Sequence, residues 1–120
     1  MKHNIFVYGS LKRGFSNHSL LAEQHFVAIG KTRPRYKIYA LSSYPGMVEV
    51  SENGRSIEGE IWTVDSACLA RLDRLEDTAH GLYKRVPITL LPPHDKLSVE
   101  GYLYLLPITG RRDCGDSWTE

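Results

Sequence analysis

The chain has 120 residues, 42% of them hydrophobic and 24% charged, with a formal net charge of +1. That length and balance fit one globular domain able to bury a core without help from a metal or a disulfide. The near-neutral charge gives no electrostatic footprint for nucleic acid, and no apolar stretch is long enough to cross a bilayer as a helix.

Asn4 to Tyr8 reads as a short buried strand around Ile5-Phe6-Val7. The loop that follows, YGSLKRG over residues 8–14, combines two glycines, a hydroxyl and two cations. Gly9 and Gly14 have the spacing of a P-loop, but Phe15 stands where a P-loop has its lysine. Asn17 is placed to cap a short helix through Leu20, Leu21 and Gln24. Val27 to Arg33 and Tyr36 to Leu41 have strand character, interrupted by Pro34. Residues 42–46, SSYPG, form a turn, and Met47 to Val50 a further strand. Asn53-Gly54 signals a tight hairpin, because both residues tolerate positive φ. Ile57 to Val64 alternates, with Ile57, Gly59, Ile61 and Thr63 on one face and Glu58, Glu60, Trp62 and Val64 on the other.

Asp65 is suited to cap one clear helix over Ser66 to Leu75. Val86 to Leu91 and Leu97 to Leu106 are the last strands, joined through Pro92-Pro93-His94-Asp95. The tail from Gly110 shows no periodicity. Many short strands with one dominant helix, and no regular βαβ alternation, predict an α+β fold. The expected form is a small mixed β-barrel or strongly curved sheet with flanking helices, spanning residues 1–120 as a single domain.

Two features carry chemistry. On the helix, Leu69, Leu72 and Glu76 fall at i, i+3 and i+7, with Leu75 extending that side and Arg71, Asp73 and Arg74 facing solvent. A carboxylate that continues an apolar stripe at a helix C-terminus, next to Asp77, should have a raised pKa. Such a group suits general acid/base work near neutral pH. The plainer alternative is an exposed Glu76, or one paired with Arg85. The glycine loop can present several backbone N–H groups to an anion or oxyanion, with the Ser10 hydroxyl as a further donor. The plainer alternative there is an ordinary turn. Ser10 lies in no G-x-S-x-G pattern, the five histidines lack metal-ligand spacing, and Cys68 and Cys114 form no CxxC pair. Tyr83, Tyr102 and Tyr104 read first as strand packing.

The loop YGSLKRGFSNH, the strand EGEIWTVD, the segment LDRLEDTAHGLYKR and the late strand VEGYLYLL resemble, in this order, γ-glutamylcyclotransferase-like proteins, and most closely their γ-glutamylamine cyclotransferase branch. The resemblance implies conversion of a γ-glutamyl amide to 5-oxoproline and a free amine, without metal or cofactor. It places the acid/base on Glu76 and substrate binding on Tyr8, Gly9, Ser10 and Leu11. Tyr104 is a further candidate to reach the substrate, with Tyr83 and Arg85 in support. The expected partner is a small γ-glutamyl substrate, with no nucleic acid and no membrane, in the cytoplasm. A non-catalytic module that binds γ-glutamyl or amino-acid-like ligands on the same fold is the alternative. An anion-binding role for Lys12 and Arg13 ranks below both.

Overall fold

The computed structural model describes residues 1–120. In chain order it contains β1 (Lys2–Val7), a 3-10 turn (His18–Leu21), β2 (His25–Lys31), β3 (Tyr36–Ala40), β4 (Pro45–Glu49) and β5 (Glu58–Asp65). Helix α1 (Ser66–Leu75), a second 3-10 turn (Thr78–His80), β6 (Tyr83–Ile88), β7 (Val99–Tyr104) and the two-residue β8 (Arg112–Asp113) follow. All eight strands belong to one mixed sheet in the order β2-β5-β1-β7-β4-β3-β8, with β6 also paired to β7. The sheet curves into a half-barrel, the α+β architecture expected from the strand-rich pattern.

The alternation along β1 divides the interior in two. Ile5 and Val7 join Trp62, Val64, Leu69 and Leu72 in a core between the sheet and α1. Phe6 and Tyr8 join Ile38, Met47, Ile61 and Trp118 in a second core on the opposite face. β5, held between β2 and β1, is buried on both sides, so its alternation separates two cores rather than core from solvent. Gly59 is obligatory there: a Cβ would lie 2.5 Å from both Phe6 Cζ and the Val7 carbonyl.

Topology around β7 creates the site. β6 runs antiparallel along one edge of β7 from Tyr83↔Tyr104 to Ile88↔Val99. The other edge is shared: β1 pairs with it in parallel at Ile5↔Glu100, and β4 at Met47↔Leu103. Two strands on one edge must diverge, and Tyr8 fills the fork. Its hydroxyl donates to the Tyr102 carbonyl at 2.6 Å and accepts from the Met47 N–H at 3.1 Å. A buried side chain thus satisfies backbone groups that the fork leaves without a ladder partner.

α1 starts where its cap predicts. The Asp65 carboxylate accepts from the Cys68 N–H at 2.7 Å, and this bond holds its pKa below the usual value. Three local expectations are revised. Asn53 does adopt positive φ (60°), but β4 and β5 are not neighbours, so residues 52–54 turn the chain between distant strands rather than within a hairpin. Pro45 and Gly46 open β4 instead of ending a turn, because Tyr39 and Ala40 of β3 pair with them. The tail is not structureless: β8 pairs with β3, and Trp118 is buried in the second core.

Candidate functional site

A cavity of about 270 Å³ opens at the fork between β1 and β4. Its walls include Tyr8, Gly9, Ser10 and Leu11 from the loop, Glu76 from the end of α1, and Tyr83 and Tyr102 from β6 and β7. Asn17, Ser43, Tyr44, Pro45, Leu75 and Leu82 are among the other wall residues. Six of the sequence-derived candidates therefore meet in one place. Tyr104 and Arg85 are not on its walls. Tyr104 packs edge-on against Tyr83, with ring centroids 5.3 Å apart. Arg85 points to Asp73 and Glu100.

Glu76 is the C-cap of α1, its N–H still bonded to the Leu72 carbonyl. The chain then reverses through Asp77 in the left-handed region (φ 54°), a conformation that aspartate tolerates better than most residues. The half-buried carboxyl titrates at about 7, well above its ordinary 4.5, and burial is the cause. Neither Asp77 nor Arg85 contributes, so the like-charge effect and the ion pair considered from sequence are both absent. The offset of Leu72 and Glu76 was the right signal, but Leu75 proves to be a rim residue that is 40% exposed.

The loop contributes amides rather than cations. The N–H groups of Gly9, Ser10 and Leu11 donate to no acceptor in the protein, and the loop closes only with Lys12 N–H to the Gly9 carbonyl at 3.1 Å. Three adjacent donors without a protein acceptor, on residues that line a cavity, are groups of the kind that can bind an anion. Asn17 donates to Ser10 Oγ at 2.9 Å, which leaves the Ser10 hydroxyl proton free for another acceptor. Lys12 and Arg13 do not serve the cavity. Lys12 is buried and donates to the Trp118 carbonyl at 2.7 Å, and burial lowers its pKa. Arg13 pairs with Glu60 at 3.1 Å and stacks 3.8 Å above the Phe26 ring. Glu60 also accepts from the Arg13 N–H and from Trp62 Nε1, both at 3.1 Å, so a buried carboxylate pins the far end of the loop. The cationic reading of the loop is thereby overturned: its charges are structural.

The tyrosines are equally committed. The Tyr8 hydroxyl bonds to Tyr102, that of Tyr83 donates to the Pro45 carbonyl at 2.7 Å, and that of Tyr102 donates to Asp73 at 2.7 Å. Burial raises the pKa of all three, so they remain protonated donors. Among the wall residues Glu76 is the one carboxyl, and none is Lys, Arg or His. No group of three or more His, Cys, Asp or Glu converges as a metal site. Sequence reasoning missed Asn17, Ser43, Tyr44, Pro45, Leu82 and Tyr102 as wall residues. Only Asn17 gave a signal, a polar residue one turn beyond the loop, and it was read as a helix cap. Its side chain makes no capping bond.

A curved mixed sheet whose single α-helix ends in a half-buried carboxyl, on one cavity with a glycine loop that has unspent amides, defines the class: an α+β half-barrel. Residues 5–120 match the family described as gamma-glutamyl cyclotransferase, AIG2-like, and the chain belongs to it. A Vibrio cholerae protein provisionally named a gamma-glutamylcyclotransferase is 44% identical over 77 residues, 64% of each chain. Zebrafish (Danio rerio) gamma-glutamylaminecyclotransferase A is 36% identical over 94 residues, 72% of this chain and 58% of that one. The matched region thus spans less than two thirds of either relative. Among solved structures, a protein specific to uropathogenic E. coli superposes with a TM-score of 0.79 at 28% identity, over 98% of this chain and 93% of that one. No helix here is long and apolar enough to cross a membrane.

Proposed function

We propose that this protein is a cyclotransferase that converts a γ-glutamylamine to 5-oxoproline and the free amine, with Glu76 as general acid and base. The observation that carries the reading is the meeting of Glu76, titrating at about 7, with the amides of Gly9, Ser10 and Leu11 on one cavity.

The substrate brings its own nucleophile. Its α-amine attacks the γ-carbonyl carbon of the same glutamyl unit, forming the ring C–N bond. Glu76 takes the proton that the α-nitrogen must lose. The tetrahedral intermediate then breaks its bond to the leaving nitrogen, which receives that proton from Glu76, and the carboxylate is regenerated. A carboxyl with a pKa near the working pH is populated in both forms and can serve both steps. The loop amides hold the α-carboxylate or the developing oxyanion, and the cavity keeps the glutamyl unit folded for ring closure.

The walls also bear on the leaving group. Leu75, Leu82 and Tyr44 are apolar or aromatic, and no cationic side chain accompanies them. A carboxylate directly beside the leaving nitrogen, as in a γ-glutamyl α-amino acid, would find no counter-charge. An alkyl amine, or a lysyl side chain whose charged end lies several bonds away, would pack along these groups.

The test is to incubate the protein separately with ε-(γ-glutamyl)-lysine, a γ-glutamyl amino acid and glutathione, and to measure 5-oxoproline by mass spectrometry. Product from the isopeptide, lost in Glu76→Gln, is expected. Undiminished turnover by Glu76→Gln would remove the assigned role. Tight binding of the isopeptide with no product would replace catalysis with a binding function.

A further inference from the structure

The end of α1 is tied to the sheet by a carboxylate outside the cavity. Asp73 stands three residues before Glu76, in the final turn of the helix. Arg85 Nη1 donates to Asp73 Oδ1 at 2.9 Å and to Oδ2 at 2.7 Å, and the Tyr102 hydroxyl donates to Oδ1 at 2.7 Å. The Thr78 hydroxyl donates to the Asp73 backbone carbonyl at 3.3 Å. Arg85 belongs to β6 and is steadied by Glu100 of β7, Nε to Oε1 at 3.4 Å. Asp73, read from sequence as facing solvent, is thus engaged by both strands.

Tyr102 carries the connection onward. Its carbonyl accepts the Tyr8 hydroxyl, and Tyr8 opens the glycine loop. Tyr102 therefore bonds at its hydroxyl to the helix turn before Glu76 and at its carbonyl to the residue that opens the loop bearing the amides.

We infer that Asp73 is a positioning residue: clamped by Arg85 and Tyr102, it sets where the Glu76 carboxyl lies relative to the Gly9–Leu11 amides. A helix end has unsatisfied carbonyls and frays unless it is held. Glu76 occupies such an end, so its location is only as definite as the tie on that turn. Two side features separate this role from simpler ones. The Asp73 and Arg85 side chains are 30% and 28% exposed, and ion pairs this wet contribute little to stability on their own. Asp73 is also not among the causes of the Glu76 shift, so its contribution is placement rather than field. The inference rests on Glu76 being the acid/base group.

The variants Asp73→Ala, Arg85→Gln and Arg85→Lys test it, each examined by steady-state kinetics on ε-(γ-glutamyl)-lysine and by carboxyl-carbon NMR titration of Glu76. Displacement of the base by an ångström lowers kcat about 100-fold. Asp73→Ala and Arg85→Gln should show such a fall with KM little changed, and the Glu76 titration should move from about 7 towards 4.5 as its carboxyl gains water. Arg85→Lys, which keeps a cationic donor, should recover part of both. A folded Asp73→Ala protein with kcat within about threefold of wild type and an unmoved Glu76 titration would overturn the inference. If Glu76→Gln stays active, or the wild type turns over no substrate, the functional reading falls. The NMR titration still decides whether Asp73 places Glu76.

Discussion

Replacing Glu76 with Gln should stabilise this protein, and should do so only above acidic pH. The folded carboxyl titrates at about 7, whereas a solvated one titrates at 4.5. Below 4.5 both states carry the proton, and a neutral acid and an amide are nearly equivalent. Between the two values the folded state binds more protons than the unfolded state, so wild-type stability declines as pH rises. Above 7 the loss is complete, and the shift corresponds to up to about 3 kcal/mol withheld from the folded state. Gln carries no charge at any of these pH values and escapes the loss. For a chain of this size the difference corresponds to a rise in Tm on the order of 10 °C at pH 8. Thermal unfolding of both proteins from pH 4 to pH 8 measures it. The gap should open from near zero, widen through neutrality and then level. A constant offset at all pH values, or a variant less stable than wild type at pH 8, would refute burial as the cause.

The same titration sets the pH profile of turnover: a base acting as carboxylate requires kcat/KM to rise with pH through about 7 and flatten above it. Tyr8→Phe keeps the ring but leaves the Met47 N–H and the Tyr102 carbonyl without their partner. Chemical denaturation should register a loss of about 1–3 kcal/mol. Gly9→Ala places a Cβ 2.8 Å from Pro45 Cγ, so the loop must move away from β4. A cost of about 1–3 kcal/mol is expected, with KM raised for any substrate held by the loop amides. Glu60→Ala strips the acceptor from the Arg13 N–H and from buried Trp62 Nε1, and the Arg13 amide should then exchange hydrogen faster than in wild type.

Long-range pairing explains why the charged groups of the loop do not serve the cavity. Lys12 and Arg13 beside two glycines resemble an anion site in one dimension. In three dimensions Lys12 crosses behind the loop to the Trp118 carbonyl, and Arg13 reaches Glu60, 47 residues away. The carboxylate of Glu120 completes the bracing by accepting from both the N–H and the hydroxyl of Ser16 at 2.9 Å. These partners come from a middle strand and the tail, which no local pattern joins to residues 12–16.

What the sequence determined by itself is local. The run Ile5-Phe6-Val7 requires a buried strand. Asp65 followed by a 3.6-residue apolar repeat requires a helix over Ser66–Leu75, and the same repeat carries Glu76 towards the interior. Those signals are legible because they depend only on backbone period and on capping within a few residues. The tertiary structure decided which strands share an edge, and with it the fork at β7 that makes the cavity. It also decided that Asp73 faces Arg85 and Tyr102 rather than water. Pairing of strands distant in sequence depends on the whole sheet closing around two cores, and a side chain's role at such a junction exists only once the strands have met.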